Sequence, residues 1–446
     1  MTSAGTGPLA SLCDVTDPST SALLTDQYEL TMVAAALADG TADRDCVFEV
    51  FARRLPESRR FGVVAGTGRL LEELQRFRFG AAELEFLERC GIVAQPMLDW
   101  LASYEFSGDI DGYAEGELYF PGSPILTVRG TFAEAVILET LALSVLNYDS
   151  AVASAAARMV NAASDRALIE MGSRRTGEHS AVAAARAAYL AGFSATSNLE
   201  AGRRYGVPTA GTAAHAFTLL HDREGEAFAA QIKTLGAGTT LLVDTYDINA
   251  GVKAAIEAAG PQLGAVRIDS GDLGVLAMQT RRQLDELGAK DTKIVLSGDL
   301  DEFAIAALGA APVDVYGVGT SLVTGSGAPT AGMVYKLVEV DGRPVAKRSE
   351  GKPSRGGAKA ALRRHKPSGT AIEEVVIAGA REVEPGPGER ALQVPLVRNG
   401  KLVRQPDLAA ARRDLRERMV TLPWDGLKLS RGEPAIPTVF EEAKPK

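Results

Sequence analysis

Acidic residues that follow apolar segments are the first candidates for chemistry in this chain of 446 residues. In the stretch RIDSGD, Arg267 and Asp269 alternate along a strand-like segment, and Ser270, Gly271 and Asp272 follow as a tight turn. Such a turn presents backbone amides beside carboxylate oxygens, so it can hold hydroxyl groups and phosphate oxygens together. Any single aspartate could instead be an ordinary helix N-cap, and both interpretations stay open at this point.

Two glycine-containing stretches, LSGD and YGVGTSL, follow the next two apolar segments. Their candidate residues are Gly298, Asp299, Gly319 and Thr320. Glycine lets a backbone approach an anion closely, and barrel enzymes place phosphate sites late in the strand order. The two stretches together favour a phosphate-binding cup over a turn that is merely tight.

His215 is one of four histidines and lies in GTAAHAF, among small residues that leave space around the ring. A neutral imidazole near pH 7 is nucleophilic and can also act as a base or a ligand. The other three histidines have no metal-ligand companions in sequence, so a zinc-type cage is not expected. The sequence alone leaves His215 as a ligand, a base or a core residue.

The elements that must position these residues lie between positions 190 and 335. Short apolar runs there each end in small, polar or charged residues and alternate with helical stretches; the runs are AGFSATSN, VPTAGTAAH, TTLLVDTYD, AVRIDSGD, KIVLSGD and VDVYGVGT. This alternation predicts βαβ units around a parallel sheet, and at least six units suit an α/β barrel better than an open sheet. Ligands of such folds bind at the carboxyl ends of the strands, where His215, Asp244, Asp247, Asp269, Asp272, Asp299 and Thr320 fall.

The rest of the chain divides by composition and pattern. A helix with Thr25 or Asp26 as its N-cap begins an α+β region, and Thr131 with Glu134 forms a capping-box pattern before a long Ala-rich helical stretch. The predicted regions are a mobile tail at 1–22, an N-terminal α+β domain at 23–130, bridging helices at 131–190, the barrel at 191–335, and a C-terminal segment at 336–446 that packs partly on the N-terminal domain.

Charge and composition narrow the class of protein. The formal charge of −9 argues against a nucleic-acid partner, since phosphate backbones call for a basic face. Three cysteines without a CxxC pair predict a reducing compartment rather than a disulfide framework. The most hydrophobic segment, FAEAVILETLALSVL, carries two glutamates, and no basic leader begins the sequence. We therefore expect a cytoplasmic protein with no membrane partner.

The motifs as an ordered set resemble the nicotinate phosphoribosyltransferase family over roughly residues 24–360. The stretches that carry the resemblance are TDQYELTM, FEVFARRLP, YDSAVASAAARM, EMGSRRTGE, GFSATSN, GTAAHAF, LVDTYDINAG, RIDSGD, LSGD, YGVGTSLVTG and KRSEGKPSRGG. The resemblance implies an irregular (β/α) barrel with an N-terminal α+β domain completed by C-terminal strands. It also implies transfer of phosphoribose from 5-phosphoribosyl 1-pyrophosphate to nicotinate, with ATP as co-substrate, Mg²⁺, and a homodimer with shared active sites.

The resemblance also implies roles for particular residues. His215 is the expected phosphate acceptor, and Asp269 and Asp272 are expected to hold ribose hydroxyls or hydrated Mg²⁺, which the diphosphate mainly carries. The expected nicotinate-binding residues are Tyr28, Arg174, Ser197 and Arg267. The expected phosphoribosyl and phosphate contacts are Arg53, Ser270, Gly271, Gly298, Asp299, Gly319, Thr320 and Lys352.

One position helps to choose between an acid and an amide substrate. Nicotinamide enzymes of the wider group carry an acidic residue where this chain has Ser197, and an acid there would repel a carboxylate. Ser197 therefore favours nicotinate. Met171 stands where those enzymes have an aromatic residue against the ring. The alternatives are an enzyme for nicotinamide or another pyridine, and a non-catalytic sensor of NAD precursors.

Overall fold

The computed structural model describes residues 20–347 and 354–443. Most of the predicted mobile tail, and Lys352, lie outside these residues. The helices are α1 Gln27–Asp39, α2 Thr67–Gln75, α3 Ala81–Arg89, α4 Gln95–Ala102, α5 Phe132–Val136, α6 Glu139–Ala163, α7 Glu178–Ala191, α8 Leu199–Tyr205, α9 His215–Leu219, α10 Glu224–Leu235, α11 Ile248–Ala259, α12 Leu273–Glu286, α13 Glu302–Ala307, α14 Thr320–Val323 and α15 Leu408–Thr421.

The strands are numbered in chain order as well. They are β1 Asp45–Ala52, β2 Gly62–Val63, β3 Asp109–Tyr113, β4 Leu118–Tyr119, β5 Leu126–Thr131, β6 Ala167–Glu170, β7 Ala195–Thr196, β8 Thr240–Leu242, β9 Ala265–Ile268, β10 Lys293–Ser297, β11 Val315–Val318, β12 Met333–Val340, β13 Arg343–Pro344, β14 Lys359–His365, β15 Ala371–Ala378, β16 Glu389–Ala391, β17 Gln393–Arg398, β18 Lys401–Leu402 and β19 Thr438–Glu442. Short 3-10 turns occupy Ser173–Arg175, Leu308–Ala310 and Trp424–Leu427.

A curled sheet of six parallel strands forms the half-barrel, in the order β7-β6-β11-β10-β9-β8. Its strands are short and apolar, and residues such as Val266, Ile294 and Leu296 are fully buried beneath the surrounding helices. Parallel strands covered on their faces read as continuous apolar runs, which is how the sequence predicted them. The predicted α/β barrel class is confirmed.

Two details of the barrel differ from the sequence analysis. The run VPTAGTAAH forms no strand; it touches the sheet only through a bridge between Thr196 and Thr209. Its proline, glycine and small polar residues supply little apolar surface to bury. The sixth strand is β6, which lies inside the region predicted as bridging helices. Its four residues alternate in burial and are too short for a clear sequence signal.

The second large sheet joins the two ends of the chain. Its strand order is β13-β12-β1-β5-β3-β17-β18, so N-terminal strands β1, β5 and β3 lie between strands that come more than 200 residues later. β1 pairs antiparallel with β12, and β3 pairs antiparallel with β17. The prediction that C-terminal strands complete the N-terminal α+β domain is confirmed.

Buried ion pairs fasten the C-terminal strands to the N-terminal domain. Arg363 on β14 donates to Glu117 at 2.8 Å and to Glu374 at 2.5 Å, and all three side chains are at most 1% exposed. Arg390 and Arg418 also pair with Glu117. Each buried charge here has an opposite partner, as burial requires.

The central helical stretch lies between the two sheets. Thr131 accepts a hydrogen bond from the Glu134 amide at 3.3 Å, as the predicted cap requires, and α5 and α6 follow. Phe132–Ala163 is long and apolar enough to cross a membrane by length and composition alone, but 67% of its most apolar stretch is buried inside the protein. Such burial is typical of a core helix.

Candidate active site

The carboxyl edge, which we define as the side of the half-barrel where strands β6 to β11 end, gathers most residues predicted to do chemistry. Because the strands are parallel, the loops that leave them meet there. These loops carry Met171 and Arg174 after β6, Ser197 after β7, Asp244 and Thr245 after β8, Asp269, Ser270, Gly271 and Asp272 after β9, Gly298 and Asp299 after β10, and Gly319 and Thr320 after β11. His215 joins them through a contact with Thr245.

Arg267, Asp269 and Ser297 form a closed hydrogen-bonded group at the carboxyl ends of β9 and β10. Arg267 donates from Nε to Ser297 Oγ and from Nη2 to Asp269 Oδ1, each at 2.7 Å. The Ser297 hydroxyl donates to the same carboxylate oxygen. Burial alone would raise the pKa of Asp269, but these hydrogen bonds and the charges of Arg267 and His215 lower it. Asp269 is therefore an anion at neutral pH.

Asp244 connects this group to the histidine. Its Oδ2 accepts from the Asp269 amide at 2.8 Å and from the Ser270 hydroxyl at 3.0 Å. Its Oδ1 is buried, has no hydrogen-bond partner among the described residues, and lies 4.0 Å from His215 Nε2. The strand-end pattern placed Asp244 at this edge, but sequence reasoning gave it no role. Its free oxygen faces the imidazole.

His215 is the first residue of α9, and both of its ring nitrogens face side chains that follow β8. Nδ1 lies 3.1 Å from Thr245 Oγ1, while Nε2 faces Asp244. The histidine side chain is 40% exposed, whereas that of Asp244 is 1% exposed. Thr245 and Asp244 thus orient the ring, and its exposed part remains accessible to a ligand. The histidine begins a short helix, and does not end a strand as the sequence suggested.

Glu224 opens α10 and adds a third carboxyl group near Asp244 and Asp247. Its Oε1 is buried and has no hydrogen-bond partner in the described part of the chain. Burial, and then the charges of Asp244 and Asp247, raise the pKa of Glu224 to about 7. Sequence reasoning missed this residue, because an acidic side chain in the first turn of a helix is common and carries no other signal.

The turns after β10 and β11 bring backbone close to the site. Gly298 has a φ of 119°, and a Cβ on it would stand 2.3 Å from the Asp269 carbonyl oxygen. Only glycine fits there, so two loops of the carboxyl edge touch through their backbones. Gly319 precedes α14 and lies against the loop after β6, since its Cβ would stand 3.3 Å from the Met171 carbonyl oxygen.

The loop after β6 is held by Glu170, a fully buried residue that sequence reasoning also missed. Its carboxylate accepts from the Gly172 amide and from the Thr196 hydroxyl. Burial raises the pKa of Glu170. The Ser197 amide donates to the Glu170 carbonyl at 2.8 Å, so this residue fixes the loops after both β6 and β7.

Two predicted nicotinate contacts, Arg174 and Ser197, are exposed on these fixed loops. Arg174 lies in the 3-10 turn, where Asn198 donates to the neighbouring Ser173 at 3.1 Å. Met171 packs its sulfur against β11: a Cβ on Gly317 would stand 2.7 Å from that atom. The methionine lies at the floor of the carboxyl edge.

Tyr28 and Arg53 lie in the N-terminal domain. Among the described residues, none of their hydrogen bonds or charge interactions involves the carboxyl edge. Tyr28 is 45% exposed, and burial together with Glu139 and Glu29 raises its pKa to about 12. Arg53 follows β1, and its Nε is buried with no hydrogen-bond partner in residues 20–347 and 354–443. Neither residue is therefore joined to the barrel by a hydrogen bond or an ion pair among residues 20–347 and 354–443.

Large apolar side chains are exposed in the segments that follow barrel strands. We call this set the apolar rim; its members, exposed by between 51% and 78%, are Leu199, Leu219, Leu220, Tyr246, Val275 and Phe303. Leu23 and Leu24, near Tyr28 in the sequence, are exposed by 41% and 57%.

By sequence, this chain is similar to nicotinate phosphoribosyltransferases. A family model described as the nicotinate phosphoribosyltransferase N-terminal domain matches residues 23–147. The nicotinate phosphoribosyltransferase pncB1 of Mycobacterium tuberculosis is 63% identical over 436 residues, which cover 95% of this chain and 96% of that protein. The Bacillus subtilis nicotinate phosphoribosyltransferase is 38% identical over 334 residues, which cover 72% and 68% of the two chains.

Solved structures agree with the fold. The human nicotinic acid phosphoribosyltransferase matches with a TM-score of 0.81 at 26% identity, covering 94% of this chain and 97% of that chain. A nicotinate-nucleotide pyrophosphorylase from Pyrococcus furiosus shares the fold, with a TM-score of 0.76 at 24% identity and coverage of 93% and 99%. Identity and coverage at these levels, over nearly the whole length, place this chain in the nicotinate phosphoribosyltransferase family.

Proposed function

We propose that this protein is an ATP-dependent nicotinate phosphoribosyltransferase of cytoplasmic NAD salvage. It converts nicotinate and 5-phosphoribosyl 1-pyrophosphate into nicotinate mononucleotide and diphosphate, with ATP hydrolysis coupled through a phosphohistidine at His215. Family membership supports the transfer reaction. The observation that carries the ATP-coupled part is His215 itself, held between Thr245 and Asp244 and open to a ligand above.

The two ring nitrogens of His215 have different parts in the phosphorylation step. A ring nitrogen with a free lone pair attacks the γ-phosphorus of ATP, a nitrogen–phosphorus bond forms, and the bond to the ADP oxygen breaks with its electron pair leaving on ADP. The positive charge that develops on the imidazole is stabilised by the Asp244 carboxylate at 4.0 Å. If Nε2 keeps its proton toward Asp244, Nδ1 is the nucleophile and the Thr245 hydroxyl orients it.

The transfer step needs a site for a highly charged leaving group. Within residues 20–347 and 354–443, no three His, Cys, Asp or Glu side chains lie together as a metal cage. Mg²⁺ commonly binds through substrate phosphates and one or two carboxylates, and Asp269 and Asp272 fit that pattern. When bound, Mg²⁺ neutralises charge on the departing diphosphate.

Other residues of the carboxyl edge hold the phosphoribosyl group in this proposal. Ser270 and Gly271 form the turn between the two aspartates, and Gly298, Asp299, Gly319 and Thr320 offer backbone amides and a hydroxyl for the 5′-phosphate. The close backbone approach at Gly298 supports a rigid cup. The assignment of Lys352 to the same phosphate remains a proposal drawn from the family.

Nicotinate would bind between an aromatic face and a fixed cation. Arg174 is exposed at the carboxyl edge and supplies the cation, while Ser197 tolerates a carboxylate. Arg267 already donates to Asp269 and Ser297, so its part is to orient them as well as to face the substrate. The aromatic face is Tyr28, which must then come from a second subunit.

A homodimer with shared sites explains the position of Tyr28. The apolar rim lies in segments that follow barrel strands, and Leu23, Leu24 and Tyr28 are exposed on the N-terminal domain. Packing one against the other would remove both apolar surfaces from water and bring Tyr28 and Arg53 to the partner's barrel. Mixing Tyr28→Ala and His215→Ala subunits should restore ATP-stimulated transfer that neither variant has, because one site of each mixed dimer is intact.

The decisive experiment incubates the protein with ATP, nicotinate and 5-phosphoribosyl 1-pyrophosphate, and follows nicotinate mononucleotide and acid-labile phosphoprotein. His215→Ala should abolish the phosphoprotein and ATP stimulation while leaving slow, uncoupled transfer. His179→Ala, at an exposed histidine on α7, is the matched control and should change neither. Label that persists in His215→Ala would refute the phosphohistidine. Preference for nicotinamide, or binding without turnover, would refute the proposed reaction.

A further inference from the structure

Thr196 ends β7 and lies next to the two loops that carry Arg174 and Ser197. The residue is fully buried, and its hydroxyl makes two hydrogen bonds. The hydroxyl donates to the Glu170 carboxylate, and it accepts from the backbone amide of Asn198 at 3.0 Å. One buried hydroxyl therefore joins the end of β6 to the loop that follows β7.

Glu170 continues the connection to the loop of Arg174. The other oxygen of its carboxylate accepts from the Gly172 amide. The Gly172 carbonyl in turn accepts from the Arg175 amide at 2.8 Å, and this bond closes the 3-10 turn that contains Arg174. Arg174 is exposed and forms no hydrogen bond or ion pair in the part of the chain that the structure describes. Its guanidinium is available to an anion, and the turn determines where it stands.

Asn198 closes the connection from the other side. Its side-chain amide donates to the Ser173 hydroxyl at 3.1 Å, so the loop after β7 also holds the 3-10 turn directly. Ser197 precedes it in the chain, and the Ser197 amide donates to the Glu170 carbonyl at 2.8 Å. Hydrogen bonds therefore connect Glu170 to Ser173 through the loop after β7, and the chain between these two residues closes the path.

The backbone of Thr196 is held independently of its side chain. Its amide donates to the Pro208 carbonyl, and its carbonyl accepts from the Ala210 amide, each at 2.9 Å. The strand β7 also pairs with β6. Removing the hydroxyl should therefore leave the strand in place and release only the connection between the two loops.

We propose that Thr196 is a positioning residue for nicotinate: its hydroxyl fixes the loop of Arg174 relative to the loop of Ser197. The inference rests on the proposed function, because it needs a substrate carboxylate at these loops. An ion pair with a carboxylate depends on geometry, and ordering a mobile loop at binding costs affinity. The residues proposed for phosphoribose follow β9, β10 and β11, whereas the two partners of the hydroxyl lie on β6 and after β7. Loss of the hydroxyl should therefore affect nicotinate and spare the other substrate.

The test replaces Thr196 by valine, which has a similar shape but no hydroxyl, and by serine, which keeps the hydroxyl. Steady-state rates are measured with nicotinate and 5-phosphoribosyl 1-pyrophosphate varied in turn. Thr196→Val should raise KM for nicotinate about threefold to tenfold, the contribution of roughly one hydrogen bond. Both kcat and KM for 5-phosphoribosyl 1-pyrophosphate should change by less than about twofold. Thr196→Ser should restore the wild-type KM for nicotinate.

Thr292→Val is the matched control, because it makes the same change at another buried threonine. The Thr292 hydroxyl donates to the Leu263 carbonyl at 2.9 Å, but this residue precedes β10 and so lies at the opposite edge of the half-barrel. Thr292→Val should lower thermal stability and leave both KM values unchanged. If it raises KM for nicotinate as Thr196→Val does, general loosening of the fold is the cause and the inference is overturned.

Ser173→Ala tests the same path at a half-buried position, and it decides the matter if Thr196→Val does not fold. It removes the acceptor of Asn198 and should raise KM for nicotinate about twofold to fivefold, with kcat unchanged. If the wild type does not transfer phosphoribose to nicotinate, the proposed function fails and this inference fails with it. If the wild type uses nicotinate and the folded Thr196 and Ser173 variants keep its KM, the inference alone fails.

Discussion

Replacing Asp244 by asparagine removes the charge nearest to His215 while nearly preserving the shape of the side chain. The asparagine carbonyl can still accept from the Asp269 amide and the Ser270 hydroxyl, which Asp244 now binds through Oδ2. Its amide group then faces His215 Nε2, where wild type has an anion. In the proposed phosphorylation of His215, the charge that develops on the ring then loses its counter-charge, so phosphoenzyme formation should slow.

The size of the effect follows from the distance. Two unit charges 4.0 Å apart, the separation of His215 Nε2 and Asp244 Oδ1, interact by about 4 kcal/mol at an effective dielectric of about 20. The histidine side chain is 40% exposed, so solvent screening reduces the useful interaction to about 1 to 2 kcal/mol. That range corresponds to a rate loss of about fivefold to thirtyfold.

A single-turnover quench experiment with labelled ATP measures this rate directly, without the later transfer step. Asp407→Asn is the control: Asp407 caps α15 by accepting from the Ala410 amide at 2.8 Å, and asparagine caps helices equally well. We expect Asp407→Asn to phosphorylate at the wild-type rate. A wild-type rate in Asp244→Asn would show that this carboxylate does not stabilise the ring, and the reasoning would be wrong.

Two further predictions concern backbone approach and acid stability. Gly298→Ala would place a Cβ 2.3 Å from the Asp269 carbonyl oxygen at a φ of 119°. In a steady-state assay, kcat/KM for 5-phosphoribosyl 1-pyrophosphate should therefore fall at least about tenfold. Gly309→Ala is the control and should leave kcat/KM unchanged, because the space around Gly309 is open. Burial alone would raise the pKa of Glu117, but Arg363 and two further arginines lower it to about 2. Its contribution to folding, on the order of 3 kcal/mol, is therefore present above about pH 4 and lost as the pH falls toward 2. Denaturant unfolding at the two ends of this range should show the loss in wild type and not in Glu117→Gln; equal losses would contradict it.

The strand-end pattern predicted much of the site because parallel strands necessarily deliver their following residues to one edge. Asp269, Asp272, Gly298 and Thr320 lie at the carboxyl edge for that reason. Helix α1 could be predicted equally well, since Asp26 precedes it and Gly40 ends it with a φ of 77°. Signals of this kind depend on residues that are neighbours in sequence, so contacts between distant segments do not alter them.

What the sequence could not supply depends on contacts between distant segments. β6 has only four residues and becomes a strand because β11 and β7 pair with it. Glu170 and Glu224 resemble any acidic residue in sequence, and their importance comes from burial among groups that fold beside them. The proposed contribution of Tyr28 to a partner's barrel involves a second copy of the chain, which a single sequence cannot display.

The order of strands in the large mixed sheet has a consequence for how the protein is made. β1 and β3 leave the ribosome early, yet their partners β12 and β17 begin at Met333 and Gln393. Until those residues are synthesised, each early strand presents an unpaired edge that can capture other chains. The half-barrel is built from local βα units and can form first, so the first domain in sequence is the last to close.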